Sequence, residues 1–147
     1  MINEIYTKEF IDLAAKIQDE IEPEVGMWMM NGNDLAPHLI RNLRFESKTD
    51  AFGVTRSYYM LDYHECLTAQ RENSILLPSL SWLMKKLREI DEPHNEIDIH
   101  YYPKSVILGV GHRYTNGERD GHCVCTDGPT LEYVCLRAFC RIKGIEL

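Results

Sequence analysis

Val106-Ile107-Leu108-Gly109-Val110-Gly111-His112-Arg113-Tyr114 runs through Thr115 into Asn116-Gly117, and the reading of this stretch decides the fold. Valine, isoleucine and tyrosine favour a pleated strand, and Asn-Gly between two such runs is a strong short-range hairpin signal. Strands are therefore expected over about 106–114 and 119–126. If Asn116-Gly117 forms a two-residue type I′ turn, Val110 lies opposite Cys123 and Leu108 opposite Cys125, so that both sulfurs share the apolar face with Val106. A three-residue loop would shift the register by one and exchange the faces of the second strand.

Working outward, Glu96-Ile97-Asp98-Ile99-His100-Tyr101-Tyr102 alternates and gives a third strand over about 96–102, with Ile97, Ile99 and Tyr101 expected inward and Pro103 ending it. Beyond the ribbon, Gly128-Pro129 leads into Leu131, Val134, Cys135, Ala138, Phe139 and Ile142 at helical spacing. A helix over about 130–143 follows, with Gly144 suited to its C-terminal cap. Before the strands, Leu80, Leu83, Met84, Leu87 and Ile90 form an apolar stripe, and Ser79 or Ser81 caps a helix over about 79–90. The fold class expected is α+β: an antiparallel sheet of at least three strands layered with helices.

The N-terminal half reads less sharply. Thr7 is a good N-cap for a helix over about 8–22, in which Phe10, Leu13, Ala14, Ile17 and Ile21 make one face and Pro23 closes the segment. Gly26 to Met30 suggests a short buried strand or extended segment, and Leu35, Leu39, Ile40 and Leu43 a short helix with Pro37 in its first turn. Residues 48–53 suit a loop, residues 54–61 look strand-like, and residues 63–73 carry no clear pattern. A single domain over 1–147 is expected, with 1–75 as an N-terminal helix plus a mixed segment and 76–147 as a helix–three strands–helix unit.

The totals narrow the function classes. Net charge is −7, and residues 1–34 carry eight acids against two lysines, so −6 of it lies in that segment. Such a balance argues against nucleic acid as a partner. No run approaches the roughly eighteen apolar residues of a membrane span. Five cysteines, an odd number, behind a start with no apolar signal segment point to a reducing compartment, hence the cytoplasm.

Chemistry-bearing residues are few. His122-Cys123-Val124-Cys125 offers zinc-type donors with His112 across the hairpin, but no second pair completes four ligands, so the cysteines read as small buried hydrophobes. Asp62-Tyr63-His64-Glu65-Cys66 gathers acid, base and nucleophile types, yet neighbours in sequence point apart. Gly109-Val110-Gly111 lacks the context of a phosphate loop and suits a close approach across the sheet. No catalytic set, metal site or cofactor is expected. Tyr102, His112 and His122 are the candidate ligand- or partner-binding residues. For Tyr101-Tyr102 and Tyr58-Tyr59, alternation is expected to put one ring of each pair inside.

Residues 77–139 resemble the phage ABA sandwich family of small bacteriophage and prophage proteins. The resemblance lies in the Leu77-Pro78-Ser79-Leu80-Ser81-Trp82-Leu83-Met84-Lys85-Lys86-Leu87 helix, the Tyr114-Thr115-Asn116-Gly117-Glu118 hairpin and the run Thr126-Asp127-Gly128-Pro129-Thr130-Leu131-Glu132-Tyr133-Val134-Cys135-Leu136-Arg137-Ala138. Gly128 departs from the threonine that the family tends to have before proline. The resemblance implies a sheet layered with helices and a viral origin, and it carries over no activity. The function expected is a non-enzymatic accessory protein acting on a host or phage protein in the host cytoplasm. The alternative is a small-molecule or nucleotide-sequestering protein, with a His/Cys or zinc-dependent enzyme behind it. A homo-oligomer is compatible with either.

Overall fold

A computed structural model of the chain describes residues 5–31, 36–64, 67–89, 95–112 and 124–145. In chain order its elements are α1 (Lys8–Ala15), β1 (Trp28–Asn31), β2 (His38–Leu39), β3 (Asn42–Thr49), β4 (Thr55–His64), β5 (Leu67–Gln70), β6 (Ser74–Leu77), α2 (Leu80–Glu89), β7 (Asn95–Tyr102), β8 (Ser105–His112), β9 (Val124–Gly128) and α3 (Leu131–Ile142), with short 3-10 turns at Gln18–Glu20 and Arg71–Asn73. The strands form three antiparallel three-stranded sheets, ordered β2-β1-β6, β3-β4-β5 and β7-β8-β9, which is an α+β fold. Contacts divide the chain into two units, Met1–Lys16 with Ser79–Leu147, and Ile17–Pro78.

In the first unit, Pro103-Lys104 turns β7 into β8, and β8 is the central strand between β7 and β9. The register of β9 corrects one expectation. Val110 pairs with Val124, Gly109 with Cys125 and Leu108 with Thr126, one residue from the two-residue-turn alignment. The shift turns Thr126 inward, where it is buried, and Cys125 outward, where it is exposed. Packing decides between the two registers: the buried Thr126 hydroxyl donates to the Val134 carbonyl of α3 at 2.8 Å, a bond that cysteine does not match. Asn116-Gly117 and Cys123 lie outside the described residues.

Helix α3 forms because its apolar residues recur at helical spacing and both ends are capped. Thr130 accepts from the Tyr133 amide at 3.2 Å, while Gly144, at φ +73°, and Ile145 donate back to Arg141 and Cys140 in a Schellman arrangement. Gly128 is dictated by close approach, since a Cβ there would come within 2.5 Å of the Tyr133 ring. Helix α3 rests on β8 and β9 and also touches α1 and α2. Its buried set therefore extends past the expected stripe to Leu136 and Cys140. Ser79 caps α2 through the Trp82 amide at 3.1 Å, and Trp82 meets Phe139 edge to face at 5.4 Å.

Burial separates the thiols. Desolvation, reinforced by the charge of Glu132, pushes Cys135 up to about 12, and desolvation pushes Cys140 up to about 11 against the opposing charge of Lys16. Site-resolved mass spectrometry after brief alkylation near neutral pH is expected to find Cys125 modified well before Cys135 and Cys140. Equal labelling would contradict the observed register. The raised folded pKa values also give stability that is full below the unfolded thiol value of about 8.5. It is lost as pH rises towards the folded values of about 11 and 12.

Helix α1 is capped as expected, with Thr7 accepting from the Phe10 amide at 3.3 Å, but it ends at Ala15 instead of about residue 22. Gln18 is the reason. Its side chain donates to the Leu76 carbonyl at 2.9 Å and accepts from the Leu76 amide at 2.8 Å, standing in for a neighbouring strand beside β6. Arg71 then binds the Gln18 carbonyl at 2.6 Å and reaches the Ile21 and Ser74 carbonyls. Ile17 and Ile21 are still buried, without a continuous helix.

The short helix expected from residue 34 is not formed in its described part. His38–Leu39 and Asn42–Thr49 are strands, because Leu39 pairs with Trp28 and Ile40 exchanges bonds with Gly26 and Met27. The strand or extended segment expected over Gly26 to Met30 is present as β1, which begins at Trp28, and Met29 is fully buried.

Candidate protein-binding surface

Strands β3 and β4 pair over eight residues, from Asn42 opposite Asp62 to Thr49 opposite Thr55. Only Met60, Leu61, Asp62 and His64 of β4 also pair with β5, so the outer part of the hairpin is a two-stranded ribbon. Its tip is locally determined. The Asp50 carboxylate accepts from the Phe52 and Val54 amides at 2.8 and 3.0 Å, the Gly53 amide donates to the Asp50 carbonyl at 3.1 Å, and Gly53 takes φ +80°. This three-residue loop ending in a left-handed glycine is a common hairpin turn.

Residues on one face of the ribbon are Leu43 and Leu61 at its base, then Phe45 with Tyr59, Ser47 with Ser57 and Thr49 with Thr55. Leu61 is fully buried, whereas Phe45 is 62% exposed and meets Tyr59 edge to face at 5.0 Å. Phe52 at the tip is 92% exposed, and Val54 beside it is half exposed. Two rigid aromatic rings on a paired strand and one at a turn make large contact area at low entropic cost.

The opposite face carries Asn42 with Asp62, Arg44 with Met60, Glu46 with Tyr58 and Lys48 with Arg56. Arg44 donates twice to the Asp62 carboxylate, at 3.1 and 3.2 Å, and once to Glu46 at 2.7 Å. The hydrogen bond from Arg44 is the main cause holding the Asp62 carboxyl below its ordinary range. Lys48, Arg56 and Tyr58 line an open cleft of about 490 Å³ with Thr49, Asp50, Val54, Gln70 and Glu72. Two cations and a phenol at its wall can meet an anionic group, while Asp50 and Glu72 limit how much negative charge it accommodates.

The sequence candidates fall elsewhere. Tyr102 ends β7 opposite Ser105 and is 56% exposed. Tyr101, expected inward, is 69% exposed because it lies at the end of the strand beside the turn; Tyr59 is likewise exposed, and Tyr58 half-buried. The backbone of His112 pairs with Asn95, its side chain lies outside the described residues, and His122 lies outside them altogether. Gly109 has open space where a Cβ would stand, so the expected close approach is not made there. Asp62 belongs to the Arg44 network, and Tyr63 is buried against His38 with its hydroxyl accepting from Asn31 at 3.2 Å. Glu65 and Cys66 lie outside the described residues. Among the described residues no group of three or more His, Cys, Asp or Glu is placed to hold a metal, and no helix is long and apolar enough to cross a membrane.

Sequence reasoning missed Phe45 and Phe52. The available signal was the Asp50-Ala51-Phe52-Gly53 turn between two runs that each alternate, with aromatic residues at matching distances on either side. No protein-family model, curated protein or solved structure matches this chain.

Proposed function

We propose that this protein is a non-enzymatic accessory protein that binds a protein of a phage or of its host, and that the β3–β4 ribbon supplies the contact. The observation that carries the reading is the exposure of Phe45, Tyr59 and Phe52 on a hairpin whose turn and ladder are well bonded. Large apolar rings held in water by a preorganised support are an unfavourable surface for an isolated chain and a favourable one for a complex. The phage setting comes from the resemblance of residues 77–139, and Tyr102 is a further exposed ring available to a partner.

Affinity capture from infected and uninfected host extracts tests this. Wild-type protein is expected to retain one partner stoichiometrically, and Phe52→Ser to weaken that retention by about tenfold or more, as truncating an interface hot spot does. Circular dichroism should stay unchanged, since Phe52 is almost wholly exposed. Equal retention by wild type and Phe52→Ser, or no specific partner, overturns the reading.

The cleft beside Lys48, Arg56 and Tyr58 favours a second reading, a binder of a small anionic molecule such as a nucleotide. Thermal-shift screening against nucleotides, with Arg56→Ala as control, separates the two. A flat response removes the second reading and leaves the first standing.

A further inference from the structure

We infer that β3 is a homodimer edge: two copies of the chain pair β3 against β3 about a two-fold axis through Phe45, joining their β3-β4-β5 sheets into one continuous sheet. In that sheet β3 is the outer strand, bonded to β4 on one side and to no described strand on the other over eight residues. Which backbone groups face outward follows from the turn. The Asp50 amide donates to the Val54 carbonyl at 3.0 Å, which makes this a hydrogen-bonded pair, and bonded and non-bonded pairs alternate along an antiparallel ladder. The even-numbered residues of β3 therefore bond inward. Leu43, Phe45, Ser47 and Thr49 turn their amides and carbonyls outward. The short hydroxyl contacts of Ser47 with Ser57 at 2.8 Å and Thr49 with Thr55 at 2.9 Å agree, because side chains lie closer in non-bonded pairs.

On two other outer strands, β9 and β6, side chains cover backbone groups. Arg141 and Arg137 of α3 donate to the Cys125 and Asp127 carbonyls of β9 at 2.6 and 2.7 Å, and Gln18 occupies both backbone groups of Leu76 on β6. Long unprotected edges invite pairing, so covering is the usual remedy. No equivalent cover stands on β3 among the described residues.

Charge selects the occupant and the register. With Phe45 on the axis, Phe45 faces the partner's Phe45, Arg44 faces the partner's Glu46, and Glu46 faces the partner's Arg44. Leu43 then faces the partner's Ser47, and Asn42 the partner's Lys48. Opposite charges meet twice, and the exposed Phe45–Tyr59 ring pairs of both copies come together on one face. A register centred on Glu46 sets that carboxylate against its own copy and Arg44 against the partner's Lys48. One centred on Arg44 opposes two guanidinium groups. A register centred on Ser47 also brings opposite charges together, Glu46 against the partner's Lys48, but it shortens the ladder and sets Arg44 against the partner's Asp50, whose carboxylate is already engaged in the turn. The strand is thus self-complementary over its longest overlap in one alignment. Phe45 and Tyr59 serve both readings, and the tests tell the two apart, since Phe52 stays outside the paired segment.

The experiment is sedimentation equilibrium of the full chain from micromolar to millimolar concentration, with hydrogen exchange on the same samples. Wild type is expected to reach twice the chain mass, with the Phe45 and Ser47 amides gaining protection as concentration rises. Arg44→Glu and Glu46→Arg, each alone, are expected to weaken the dimer about tenfold or more by setting like charges opposite each other. An equimolar mixture of these two variants restores it, because the two arginines of one chain then face the two glutamates of the other. Ser47→Pro, which removes an outward donor and no ladder donor, weakens the dimer while circular dichroism is retained. Should Arg44→Glu lose its fold with the Asp62 bonds, Glu46→Arg and Ser47→Pro decide the matter. A wild-type chain that stays monomeric at millimolar concentration overturns the inference. So does a dimer indifferent to Glu46→Arg and Ser47→Pro, or a mixture of two folded charge variants that fails to associate.

Discussion

Phe139→Ala is expected to destabilise the chain by about 3–5 kcal/mol, the range for removing a fully buried aromatic ring. The residue is 1% exposed on α3, its ring lies edge to face with Trp82 at 5.4 Å, and the Lys143 ammonium sits 5.7 Å from the ring centre. Three losses combine: transfer of the ring from water, the aromatic pair, and the void left behind. The void resists collapse because α3 is held at once by α1, α2, β8 and β9, so that no single neighbour can move in without leaving another. Urea unfolding followed by circular dichroism measures the cost, with Phe139→Leu as the milder control. A loss below about 1 kcal/mol for the alanine variant would mean that α3 is not the packed centre of its unit.

Gln18→Ala is expected to cost about 2–4 kcal/mol, because it removes two hydrogen bonds and leaves the amide and carbonyl of Leu76 without them. Leu76 is fully buried, and the Gln18 carboxamide is the right group for both tasks: its nitrogen donates at 2.9 Å and its oxygen accepts at 2.8 Å. Glutamate has nearly the same shape but at neutral pH cannot donate. Gln18→Glu therefore keeps the bond from the Leu76 amide and sets a carboxylate oxygen against the Leu76 carbonyl, so it should rescue little. Urea unfolding gives the total cost, and hydrogen exchange at the Leu76 amide locates it. An exchange rate unchanged in Gln18→Ala would show that the side chain is not what protects β6. A contribution from Arg71 is coupled to the same site, since its half-buried guanidinium binds the Gln18 carbonyl at 2.6 Å. Burial lowers the pKa of that group, against a weaker opposing effect of Asp19.

Both variants touch places where the reading of sequence alone has a definite limit. The stripe of Val134, Cys135, Ala138 and Phe139 predicts α3 correctly, because 3.6-residue spacing reports which side of a helix is apolar. It does not report how many partners the helix has. Leu136 and Cys140 are buried because α1 and α2 close the flanks that a single sheet would leave open. The sulfurs show the same limit in a strand. Alternation places Cys125 and Thr126 on opposite faces, but which face is inside depends on a one-residue difference in loop length and on the Val134 carbonyl waiting for a hydroxyl.

The ribbon was half legible. Its second strand and its turn stand out in residues 48–61, yet Leu39, Ile40 and Leu43 suggest a helix by spacing while the chain is extended there. Short apolar spacings fit either period over so few residues. Pairing with Trp28 and with β4 settles the matter, and those partners are distant in sequence. The exposed aromatic surface shares this origin: Phe45 and Tyr59 become neighbours through the hairpin register, which no local pattern states.

By itself, the order of residues determined the α+β class, the helices α2 and α3, the Ser79 cap of α2 and the Gly144 end of α3, the start of α1 and the three strands around Ile97, Leu108 and Thr126. These follow from interactions within about a turn of helix or one strand, where periodicity and capping chemistry act. Tertiary structure decided the end of α1, the facing of Cys125, the extended course of residues 38–49 and an edge of β3 that no described strand covers. Each depends on a backbone group satisfied, or left free, by something far along the chain, and unbonded amides and carbonyls cost too much in a folded interior for local preference to prevail.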